Sequence, residues 1–92
     1  AVAGMKAQAE GLTFPCEFPI KAMGRHSETL VSAVLAVVQT HAPDASRERV
    51  NTQPSRNGSY LSVTVTVTAK SLDQLNAIYA DLQGHDEVLA TL

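Results

Sequence analysis

Residues 54–69 read PSRNGSYLSVTVTVTA, a turn followed by a run in which apolar and hydroxyl-bearing side chains alternate. Asn57 and Gly58 both tolerate positive φ, and an Asn-Gly pair between alternating runs predicts a hairpin with a two-residue type I′ turn. With Arg56 opposite Ser59, the register follows by counting. Pro54 faces Leu61, Thr52 faces Val63 and Val50 faces Val65, the set expected on a buried face. Arg49, Asn51, Gln53 and Ser55 then lie opposite Thr66, Thr64, Ser62 and Tyr60 on a polar face. Pro54 has no N–H for a further ladder, and charged Arg47, Glu48 and Arg49 precede it. The strand before the turn is therefore expected at an edge and the strand after it in the centre of a sheet.

Upstream, CEFPIKAMG (16–24) alternates, with Cys16, Phe18, Ile20 and Ala22 on one side and Glu17, Lys21 and Met23 on the other. Gly24 is expected to end this first strand. Ser27 suits a helix N-cap, with Glu28 favoured in the first turn. Leu30, Val31, Val34, Leu35, Val37 and Val38 recur at helical spacing until Pro43 stops the helix. Downstream, Ser71 and Gln74 form a capping box ahead of a stripe of Leu72, Leu75, Ile78, Tyr79 and Leu82, closed by Gly84. DEVLATL (86–92) reads as a short last strand with Val88, Ala90 and Leu92 inward and Leu89 and Thr91 outward.

The order is βαββαβ, which predicts an α+β fold of the ferredoxin-like, split βαβ type, with two helices on one face of a four-stranded antiparallel sheet. Strands 3 and 1 are expected at the centre and strands 2 and 4 at the edges. This topology puts the strand 1 to helix 1 loop, the hairpin and the helix 2 to strand 4 loop at one end.

The 92 residues suit a single domain over 14–92. Residues 1–13 are expected to form a disordered N-terminal arm, in which 1–4 read as expression-derived residues ahead of a native start at Met5. A formal charge of −2 supplies no field to attract nucleic acid or an anionic membrane. The single cysteine, Cys16, excludes an internal disulfide and reads as a small buried hydrophobe at the start of strand 1. No apolar run approaches a bilayer span, and a cytoplasmic location is expected.

The segments FPCEFPIKAMG, HAP and PSRNGSYLSVTVTVTA, with Tyr79 and Leu82, resemble the bacterial YbeD-like family, small proteins of unassigned function. The likeness runs from about Phe14 to Leu92 and carries over no catalytic residue. That family is similar in fold to ACT-type regulatory domains of amino-acid metabolism, which implies a ligand-sensing or partner-binding module.

Two candidate sites follow. The loop end gathers Gly24, Arg25, His26, Ser27, Arg56, Asn57, Gly58 and His85, where helix N–H groups and guanidinium groups suit a carboxylate or phosphate. The open sheet face gathers Lys21, Met23, Tyr60, Ser62 and Thr64 as a partner surface. RNA recognition calls for aromatic platforms on the central strands, and Tyr60 alone is available there. An acylphosphatase-like enzyme would need a phosphate-cradling loop longer than GRH (24–26). His41 is expected to serve the C-terminal carbonyls of helix 1. Asp73, Asp81, Asp86 and Glu87 read as solvated charges. No cofactor, metal site or acid–base carboxylate pair is expected. The functional expectation is a non-enzymatic regulatory or interaction module that takes a small anionic metabolite or a protein partner, with a homodimer through edge strands as a further arrangement.

Overall fold

A computed structural model describes residues 12–91, so the expectations for residues 1–11 and for Leu92 lie outside it. The strands are β1 (Cys16–Arg25), β2 (Val50–Pro54), β3 (Tyr60–Ala69) and β4 (Ala90–Thr91). The helices are α1 (Glu28–His41) and α2 (Leu72–Gln83), and a 3-10 turn at Arg47–Arg49 leads into β2. The sheet order is β2-β3-β1-β4 with every pairing antiparallel, as the βαββαβ reading requires.

Alternation in β1 and β3 is what builds the core. Phe18, Ile20, Ala22, Leu61, Val63, Val65 and Val67 are buried on the helix side, against Leu30, Val34 and Val38 of α1 and Leu75, Ile78 and Leu82 of α2. β-Branched residues are weak helix formers, so this packing holds α1 in place. Ser27 caps α1 by accepting the Leu30 N–H, and Ser71 caps α2 by accepting the Gln74 N–H. The Gln74 amide also bridges the elements, accepting the Lys70 N–H and donating to the His41 carbonyl. Leu12, expected in the mobile arm, packs partly buried against the core.

The hairpin register is as counted, with Val50 opposite Val65 and Pro54 opposite Leu61. Its turn differs. Gly58 alone has positive φ, at 79°, and Asn57 does not. The Gly58 N–H bonds the Ser55 carbonyl, so the loop is a wider one closed by Ser55 and Tyr60. Asn57 contributes through its side chain, whose Oδ1 accepts the Ser59 N–H, rather than through a left-handed backbone. Thr52 and Pro54 are exposed, not buried as expected, because the helices pack over β1, β3 and β4 and leave β2 uncovered beyond Val50. Leu72 likewise lies at the exposed end of its stripe.

The last strand departs most. The Leu89 N–H bonds the Met23 carbonyl although the register partner of Met23 is Ala90. Two residues thus oppose one, which is a β-bulge, and the alternation slips by one. Val88 packs inward as expected, but Thr91, paired with inward Ala22, lies on the helix side, and Ala90, paired with Met23, lies on the open face. Both phases are the reverse of the sequence reading.

Candidate functional site

At the loop end, β1 continues past Gly24 to Arg25, so Gly24 is a strand residue opposite Leu61. A Cβ there would meet the Glu87 carbonyl oxygen at 2.2 Å and Leu30 at 2.9 Å, so this glycine serves a close backbone approach. His26 prolongs the ladder, its N–H on the Ser59 carbonyl at 3.0 Å and its Nδ1 donating to the Gly58 carbonyl at 3.1 Å. Backbone and ring of His26 thus both hold the hairpin.

The N-terminus of α1 has a partner from its own chain. The Glu87 carboxylate accepts from Thr29 Oγ1 at 2.6 Å and from Ser27 Oγ at 3.4 Å. A carboxylate at a helix start is favoured by the helix dipole and by charge-assisted hydrogen bonds. His85 closes the turn that delivers Glu87, its Nδ1 accepting the Glu87 N–H at 3.1 Å. Beside this clasp lies a hollow of about 350 Å³ lined by Arg25, Ser27, Thr29, Asp86, Glu87 and Leu89. The structure therefore brings Arg25 and Ser27 together with two carboxylates. Arg56, Asn57 and Gly58 stand on the hairpin, outside that lining. Sequence reading missed Glu87 and Thr29, whose meeting depends on contact between residues 58 apart.

The candidate partner surface is contiguous. Across β4, β1, β3 and β2, the register sets Ala90, Met23, Ser62 and Gln53 in one row and Lys21, Thr64 and Asn51 in the next. Arg25 pairs with Tyr60 at the loop end of the same face. Tyr60 is 38% exposed and Met23 is half-buried. Arg25 was placed at the loop end by sequence, yet its alternation with Lys21 and Met23 also marks it as a residue of this face.

At the other end of the face, Glu17 takes hydrogen bonds from Arg49 and from Thr68 Oγ1, the latter at 3.0 Å. The Arg49 guanidinium, and then the Thr68 hydroxyl, hold its carboxyl below the usual range. Tyr79 moves the other way, since burial of the phenol raises it more than its bond with the Lys21 backbone lowers it. Asp81 is not merely solvated: it meets His41 Nε2 at 2.6 Å and ties α2 to the end of α1. Cys16 is half-buried against the core. Among the described residues, no three His, Cys, Asp or Glu side chains gather as a group able to hold a metal ion.

The family model described as "Protein of unknown function (DUF493)" matches residues 9–92. The chain belongs to the DUF493 family. Its relatives include a UPF0250 protein of Nitrosomonas europaea, 41% identical over 81 residues that make up 88% of this chain and 93% of that one. A UPF0250 protein of Azotobacter vinelandii is 43% identical over 82 residues, 88% of this chain and 89% of the relative. The YbeD-like resemblance is thus a family relationship. The solution structure of protein HP0495 from H. pylori superposes with a TM-score of 0.69 over 91% of this chain and 92% of that one, at 17% identity, and supports the fold. No helix of the described residues is long and apolar enough to cross a membrane.

Proposed function

We propose that this DUF493 protein is a non-enzymatic interaction module that docks a protein partner on the open face of its sheet. The observation that carries the reading is the continuous surface of Lys21, Met23, Arg25, Tyr60, Ser62 and Thr64, one face of two central strands whose other face is the core. Tyrosine, methionine and arginine are the residue types enriched where proteins meet. The expectation of a small-anion site at the loop end is less well supported, because Glu87 already occupies the start of α1 and Asp86 shares the adjoining hollow. Like charges there oppose an incoming phosphate or carboxylate.

The test is site-specific photo-crosslinking with the full chain in extract of a bacterium that carries a relative of the family. A benzophenone side chain replaces Ser62 on the open face or Thr40 on the exposed side of α1. A discrete protein adduct is expected from position 62 and not from position 40. Adducts from position 40 with none from 62 would refute the reading.

A further inference from the structure

The charges of this chain are sorted by layer. Among the described acidic residues, Glu17 is the one on the open face, and Arg49 pairs with it. Glu28, Asp73 and Asp81 belong to the helices, Asp86 and Glu87 to the turn after α2, and Asp44 and Glu48 to the connection before β2. Lys21 and Arg25 stand on the open face of β1 and neither forms an ion pair among the described residues, although Arg25 also borders the hollow shared by Asp86 and Glu87. They are four positions apart, about 13 Å along a strand, with Met23 between them on the same face. Exposed Arg56 lies nearby on the hairpin. A chain of net negative charge thus presents a cationic row on its one uncovered face.

The edges of the sheet offer little to an added strand. On β2, the Val50 N–H is taken by the Arg47 carbonyl and Pro54 has none, which leaves only Thr52 between them to donate. On β1 beyond β4, Pro19 has none, and the Lys21 backbone is engaged by the Tyr79 hydroxyl. β4 has only two residues and begins at the Leu89–Ala90 bulge, a device that discourages pairing. Strand addition is thus confined to short stretches, and the open face is the larger surface for binding.

We infer that the partner is an acidic protein segment, its carboxylates meeting Lys21 and Arg25 and its apolar side chains meeting Met23 and Tyr60. This rests on the proposed docking face and names the chemistry that face selects. RNA fits less well, because the positions along β3 beyond Tyr60 are Ser62, Thr64 and Thr66, which supply no ring for base stacking.

The crosslinking assay at Ser62 tests it, with the charge-reversed pair Lys21→Glu and Arg25→Glu introduced in the same chain. Both side chains are exposed, and an unchanged unfolding midpoint verifies the fold; the pair Lys21→Gln and Arg25→Gln replaces the reversal if that midpoint falls. The expected result is an adduct whose crosslinked peptide is rich in Asp and Glu. Its yield should fall about tenfold on charge reversal and also when salt rises from about 0.1 to 0.5 M. An adduct that persists in the reversed variant, or that ribonuclease removes, overturns the acidic-protein inference and leaves the docking face standing. No adduct from position 62 in the unaltered chain overturns both.

Discussion

Three glycines show how local geometry sets the cost of a single side chain. Gly24 faces a backbone carbonyl where a Cβ has no room, Gly58 has open space but a φ of 79°, and Gly84 has neither constraint. Replacement by alanine is therefore expected to cost about 3 kcal/mol at Gly24, about 1–2 kcal/mol at Gly58 and less than about 0.5 kcal/mol at Gly84. Urea unfolding of the three variants checks the order. Glu17 gives a pH signature. Arg49 and Thr68 lower its folded value, so the unfolded chain binds more protons there. Its contribution is in place above the ordinary carboxylate range and is lost as pH falls through the lowered value. Glu17→Gln should melt below the unaltered protein near neutral pH and converge with it in acid. A gap that widens in acid would contradict this. Gly24 also illustrates what the sequence does not reveal: the residue punctuates the alternating run, but its reason is the Glu87 carbonyl, which no local pattern announces.

Among the elements, the central strands were the most legible because their pattern is long and two-sided. The register of β2 on β3 survived a mistaken turn type, since a wider loop closed by Ser55 and Tyr60 preserves the same pairing as a two-residue turn. β4 was misread for the opposite reason. A two-residue strand has no alternation of its own, and a bulge at Leu89 and Ala90 reverses any phase carried over from Val88. The clasp at the start of α1 was also hidden, because Ser27 announces a cap but not the carboxylate that comes to it. Ser27→Ala is expected to cost about 1 kcal/mol through the lost Leu30 bond. Glu87→Gln, which retains an acceptor but loses the charge beside the helix dipole, should cost about 0.5 kcal/mol. High salt should shrink the second effect and spare the first, and thermal melts of both variants at two ionic strengths decide the point.

For the whole molecule, net charge misleads where its arrangement informs. A total of −2 is consistent with no attraction to any acidic partner, yet the acids are concentrated on the helices and connections, while Lys21 and Arg25 face outward from the sheet. That separation follows from the strand phase, and so it was present in the sequence once the faces of β1 were assigned. Its significance depended on the sheet order, which sets Lys21 and Arg25 on a central strand. Side-by-side association with a second copy through β4 would place Ala90 and Thr91 in contact. The most direct test of a face-docking module is an amide spectrum of the labelled chain as a partner-containing extract is added. Broadening is expected to be confined to Lys21, Met23, Arg25, Tyr60, Ser62 and Thr64, with the amides of α1 and α2 unchanged. Broadening centred on the helices, or on Ala90 and Thr91 alone, would contradict it.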